Sequence, residues 1–193
     1  MAGHFEALPG GGAAVALDEV EISILRSLAV QLLELIGPGD EATDDDPLAA
    51  LFAEGPSSPP TDPALARLFP DAYGGPGASE DERTRAASAE FRRFTENDLR
   101  ARKRDDVLAM VRSLDALGEG GAVLELTPET SRQWLGALND LRLAIGARLE
   151  VSDDEDDAGE LYTLPDSDPR KPMVMAYLWL GGMQESLIET LMP

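Results

Sequence analysis

The chain holds a single histidine, His4, and no cysteine. A Ser-His-Asp or Cys-His site needs its base held firmly against the nucleophile, and His4 lies near a terminus, where it reads as an ordinary strand residue. Zero cysteine excludes disulfides, thiolate metal sites, iron-sulfur ligation and an intrinsic thiol switch, and it fits a cytoplasmic protein. The acidic run Asp153–Asp157 invites a calcium reading, but an EF-hand loop needs Gly at its sixth position and Glu at its twelfth. Counted from Asp153 these are Ala158 and Leu164; counted from Asp154 they are Gly159 and Pro165. A solvated loop is the better reading, with weak cation binding as the alternative. The glycine runs Gly10–Gly12 and Gly118–Gly121 lack the Lys-Ser/Thr or dinucleotide spacing of a phosphate cradle and read as turns. Acids are so plentiful that some pair will always resemble an acid and a base. No catalytic, metal or cofactor-binding residue is assigned, and the chain reads as a non-enzyme with no cofactor.

Contact chemistry is better represented. Asn139, Asp140 and Arg142 interrupt a strongly apolar helix, and Asn139 and Arg142, three apart, can share a face. An Arg bonded to a nearby carboxylate would fix how that helix meets its neighbour, so the group reads as a structural clasp, with a partner-binding site as the alternative. Trp134 and Trp179 each sit in an apolar helical frame and read as core. The one basic patch is Arg100, Arg102, Lys103 and Arg104, flanked by Asp98, Asp105 and Asp106, which favours a solvated, salt-bridged face.

Charge sets the wider limits. Against 16 Lys and Arg stand 37 Asp and Glu, a net −21, and such a surface repels phosphate backbones, whose binding needs clustered cations. Autonomous nucleic-acid binding is therefore not expected. No apolar run approaches the ~18 residues of a membrane span, and the N-terminus lacks the basic and apolar regions of a signal peptide. Only 5% of the 193 residues are aromatic while 43% are hydrophobic, so Leu, Ile, Val and Ala must build the core. That suits packed helices.

The elements that must position these groups follow from pattern. Short extended pieces around Pro9–Gly12 suggest a hairpin. Asp18 and Glu21 form a capping box before an apolar series that predicts a helix over about 19–36, closed by Gly37. Asp46-Pro47 starts a short helix with Leu48, Leu51 and Phe52, and Asp62-Pro63 starts another over 64–69. Ser79 and Glu82 make a second capping box. Neither Gly nor Pro follows until Gly118, which predicts one long helix or two joined by a kink, with Phe91, Phe94, Leu99, Val107, Met110 and Leu114 on an apolar face. About 39 residues would span roughly 58 Å, so a bend near Thr95–Arg102 or a partner along it is expected. Half of all the cations lie between Glu80 and Asp106. Residues 122–126 read as a strand and Thr127-Pro128 opens a helix to about Leu149. Asp168-Pro169 caps a last helix with a broad apolar face, in which Gly181-Gly182 either kinks it or lets another backbone approach. Self-association through the long helix or this last one is expected.

Residues 11–17 align without a gap on 120–126 at an offset of 109, and each stretch leads into a cap, an amphipathic helix and a glycine. This is either an internal repeat or the common look of strand-to-helix units. The overall expectation is a mainly α fold, a helical layer on a small antiparallel β-sheet. It is a single domain over 1–193 with acidic or flexible loops near 38–62 and 152–168.

Three stretches carry a resemblance: Asp62–Tyr73; Leu124–Pro128 with Trp134–Gly146; and Tyr177–Met192. They are similar, nearly end to end, to the actinobacterial domain of unknown function 2017 family. Members are typically encoded beside the adaptor of the Clp protease and a cysteine-biosynthesis group, and some are described as oxidative-stress regulators of transcription. The resemblance implies a cytoplasmic, non-catalytic regulator acting through a protein partner, a sigma factor being one option. The alternative is an adaptor or scaffold linked to Clp-type proteolysis. Sensing in that family is attributed to cysteines, which this chain lacks, so any redox input must reach it from elsewhere.

Overall fold

Gly10, Gly11 and Gly12 all take positive φ, between 89° and 95°, a region open to glycine at little cost. They turn the chain back so that Glu6–Ala7 (β1) pairs antiparallel with Ala13–Leu17 (β2). Ala122–Leu126 (β3) joins the far side of β2, also antiparallel, to complete a three-stranded sheet in the order β1-β2-β3. The computed structural model describes residues 3–37, 54–74, 81–118, 120–151 and 163–192. His4 precedes β1 and is exposed, outside any strand.

Five α-helices are found among the described residues. Asp18 accepts from the Glu21 amide and the Glu21 side chain returns to the Asp18 amide, both at 2.8 Å, starting Glu19–Ile36 (α1). Asp62 accepts from the amides of Ala64 and Leu65 to start Pro63–Leu68 (α2). Glu82–Asp115 (α3) is capped by Asp81 through the Thr84 amide at 2.7 Å. Ser79 and the short helix expected after Asp46-Pro47 lie outside the described residues. Thr127 caps Pro128–Arg148 (α4). Lys171–Leu191 (α5) begins after Arg170, and Asp168 holds the preceding turn by accepting from the Arg170 amide. The fold is therefore a helical layer packed on a small antiparallel sheet.

In the register of β2 with β3, Val15 faces Leu124. These are the residues matched by the 109-residue offset, so the matched positions face each other at the centre of the β2–β3 pairing. The caps Asp18 and Thr127 correspond as well, although α4 runs on past Gly146, the match of the C-capping Gly37.

The core lies where the sheet's inner face (Val15, Leu17, Leu124, Leu126) meets Leu25 and Leu32 of α1, Met110 and Leu114 of α3, Trp134 and Leu138 of α4, and Leu180 and Met183 of α5. Each such side chain contributes about 1.5–3 kcal/mol by leaving water. Trp134 is fully buried, edge-on to Phe5 at 6.0 Å, and the Phe5 amide donates to Ser186 Oγ at 3.1 Å. The amino terminus is thereby tied to α5.

Helix α3 is one continuous helix, the first of the two forms expected. Its buried face departs from expectation: Phe91 and Phe94, assigned to it, are 48% and 62% exposed. Its amino-terminal half buries Ser88, Arg92 and Glu96 instead. Residues 54–74 lie along that half: the Gly55 amide donates to Arg93 O at 2.7 Å, and Ser88 Oγ bridges the amide and carbonyl of Tyr73. Backbone laid against a helix presents polar groups, so polar side chains at i, i+4 and i+8 are what it buries. The carboxyl half buries Val107, Met110 and Leu114 as expected.

Candidate functional site

The charged residues singled out in sequence converge on the seams where α3 and α4 meet their neighbours. Lys103 of α3 donates to Asp140 of α4 at 2.6 Å, with side chains only 15% and 3% exposed. Burial pushes the Asp140 carboxyl above its ordinary pKa, against the pull of Lys103. Asp106, one turn along α3, is also raised, first by burial and further by Asp140, with Arg102 opposing. Its carboxylate rests on Gly136 of α4, where an added Cβ would come within 2.5 Å of Oδ2. That glycine is what allows α3 to approach so closely.

Arg142 faces the other way, onto α5. Its Nη1 donates to Gln184 Oε1 at 2.6 Å, its guanidinium sits 5.1 Å from the Tyr177 ring centroid, and Gly181 gives it room. Gln184 in turn donates to Asn139 Oδ1 at a long 3.5 Å. The Arg partner is thus an amide and a ring rather than the carboxylate expected, and Asp140 belongs to a different seam. Gly181-Gly182 leaves α5 unbroken. A cleft of about 830 Å³ borders Arg142, Tyr177 and Gln184, and an apolar groove of about 520 Å³ runs between α1, α4 and α5 past Leu28, Leu35, Ile145 and Met173. Trp179 is half-buried, its indole against Gly3, so both tryptophans serve packing.

The basic stretch does not form a patch. Arg100 donates to Glu96 and to Ile36 O, at 2.7 Å for the latter, and lies over the Phe69 ring at 4.2 Å. Arg104 donates to Gly37 O. Both guanidiniums thus satisfy carbonyls left over at the end of α1, where the helix dipole also favours a cation. With Lys103 on Asp140, only Arg102 of the four is exposed.

A further network was not singled out in sequence. Arg92, 4% exposed, donates to Glu96, to Asp71 at 2.9 Å and to Phe69 O at 2.9 Å. Burial works against its charge, and Asp71 and Glu96 outweigh that, so its pKa is held above the ordinary value. The signal in the sequence is the four-residue spacing of Ser88, Arg92, Glu96 and Arg100, which apolar periodicity alone does not reveal. These ion pairs hold elements together and present no nucleophile beside a base.

Among the described residues no group of three metal-binding side chains gathers, and no helix is long and apolar enough to cross a membrane. The acidic run Asp153–Asp157 lies outside them.

The chain matches the family described as a domain of unknown function (DUF2017) over residues 2–191. It is 31% identical over 179 residues to the oxidative stress regulator AosR of Mycobacterium tuberculosis (strain H37Rv), covering 89% of this chain and 78% of that protein. It is 32% identical over 181 residues to the putative oxidative stress regulator AosR of Mycobacterium leprae, covering 89% and 79%. No solved structure matches.

Proposed function

The chain belongs to the DUF2017 family, and from that premise we propose that it is a non-catalytic, cytoplasmic regulator that acts through protein-protein contacts in transcriptional control of the oxidative-stress response. The relatives' name supports the regulatory part. The protein-contact part rests on one observation: Arg100, Lys103 and Arg104 are spent on Ile36 O, Asp140 and Gly37 O. Without them, a body of net charge −21 lacks the cation cluster that would grip phosphates. Its acidic faces suit a partner with a basic surface, steered in by charge, so association should slow as salt rises. A sigma factor is the partner class this reading favours, and duplex DNA is not bound directly. The redox input is supplied by the partner or upstream of it, because no thiol is present to provide it.

The experiment is co-purification of the tagged chain from its native cytoplasm at low and moderate salt, followed by identification of the bound proteins. Recovery of a sigma factor or RNA polymerase components supports the proposal. Recovery of a Clp protease or its adaptor instead would replace it with a role as proteolysis-linked adaptor or scaffold.

A further inference from the structure

We propose that the outward face of α3 around Phe91 and Phe94 is a contact surface for a second copy of this chain, paired antiparallel about a two-fold axis. The starting observation is an aromatic cluster turned to solvent. Tyr73 is 52% exposed, Phe91 48% and Phe94 62%. Tyr73 stands edge-on to Phe91 with centroids 6.1 Å apart, and the Arg93 guanidinium lies 5.2 Å from the Phe94 centroid. The exposed positions Ala87, Phe91, Phe94, Asp98 and Ala101 recur at alternating steps of four and three. That is the seam by which one helix packs along another, and the alanines at its ends let two backbones come close.

Charge selects the occupant. Helix α3 carries nine Lys and Arg against seven Asp and Glu, a net +2, so the rest of the chain carries −23. A basic partner is drawn to that remainder. A second copy is repelled from it and meets least opposition on α3, where Arg83 and Arg102 accompany Glu90 and Asp98 on the exposed side. A two-fold contact requires a patch complementary to itself, and a cluster of rings on a helix of mixed charge meets that condition. Parallel pairing would set Asp98 against Asp98. Antiparallel pairing centred between Phe91 and Phe94 sets Phe91 of one copy against Phe94 of the other and places Asp98 opposite Ala87. An aromatic ring covers about 150–250 Å² when wholly buried. With roughly half of that still open, the three rings offer about 300 Å² per copy, against the ~800 Å² per partner of a stable interface. The dimer is therefore weak and in exchange with monomer.

The inference is independent of the proposed regulatory role, and salt separates the two. Docking to a basic partner weakens as salt rises, whereas an apolar contact between two acidic bodies strengthens once their repulsion is screened. The test is sedimentation equilibrium of the full chain from about 10 µM to about 1 mM, the range in which so small a contact should respond, at low and at high salt. The expected result is a weight-average mass that climbs above 20.6 kDa with concentration, more steeply at high salt. The variants Phe94→Glu and Phe91→Ser/Phe94→Ser, with unchanged far-UV circular dichroism, should weaken association at least tenfold. A wild-type mass that stays monomeric throughout would overturn the proposal. So would association that weakens with salt, or folded variants that associate like wild type.

Discussion

Replacing Lys103 by Met tests whether the α3–α4 seam is held by a buried charge pair. The substitution keeps an apolar stem of similar length and leaves the Asp140 carboxylate, 3% exposed, without its cation. Breaking a buried pair costs about 3–5 kcal/mol, and because the Lys103 side chain keeps 15% of its surface in water, about 3 kcal/mol is the better figure. For a chain of this length that lowers Tm by about 6–12 °C at neutral pH. The pH dependence carries the diagnostic. Burial already raises the Asp140 pKa in the native state, so ionised Asp140 disfavours folding, and that penalty is full above its folded pKa and vanishes below the unfolded one. Removing Lys103 raises the folded pKa further. The gap between wild type and variant should thus be widest near neutral pH and narrow as pH falls through the variant's folded value. Denaturant melts at about pH 7 and about pH 5 measure it, and the double variant Lys103→Met/Asp140→Leu should recover most of the loss. A cost under about 1 kcal/mol, a gap that does not change with pH, or a double variant as weak as the two single losses combined would refute the reasoning.

Gly12 has φ +89°, and a Cβ there would overlap Leu126 O, so Gly12→Ala should destabilise by about 3 kcal/mol or more; thermal melts matching wild type would contradict the β2–β3 register. Arg100→Met strands the buried Glu96 carboxylate with one cation and uncaps Ile36 O, for a loss of about 2–3 kcal/mol, whereas exposed Arg102→Met should stay within about 0.5 kcal/mol; urea melts of the pair should rank them in that order. In mobility-shift assays at physiological salt the purified chain should leave duplex DNA unshifted. Peroxide should produce no fast spectral change that a reductant reverses, because only methionines are available to oxidise.

Elements with a local start or stop were legible from sequence. The capping box at Asp18, the Asp62-Pro63 start and the positive-φ glycines of the hairpin are decided within four residues of themselves, and all three stand where pattern placed them. The pairing of β2 with β3 was readable too, since a lone short strand has no partner for its backbone. What misled was the face of α3. Phe91 and Phe94 resemble core residues, and only the course of residues 54–74, a long-range fact, decides that Arg92 and Glu96 face inward. Arg100 and Arg104 were misplaced for the same reason. Their acceptors, Ile36 O and Gly37 O, are more than sixty residues away in sequence, so two members of a basic cluster on paper close the end of α1 in space. Within the group 139–142 the spacing correctly joined Asn139 and Arg142 to one face, yet it could not tell that Asp140 points to a different helix.

The guanidiniums that close the end of α1 bear on how the molecule comes apart. A helix terminus held only by its own chain frays freely, and its amides exchange with solvent at little cost. Here Ile36 O and Gly37 O accept from Arg100 and Arg104, so the last turn of α1 opens only if α3 shifts or gives up hydrogen bonds to charged donors. Hydrogen exchange should accordingly find the amides of Leu33 to Ile36 as slow as those around Arg104, and speeding together in Arg104→Met. The two helices then open as one cooperative unit, and a ligand that steadied α3 would be felt as protection at the far end of α1.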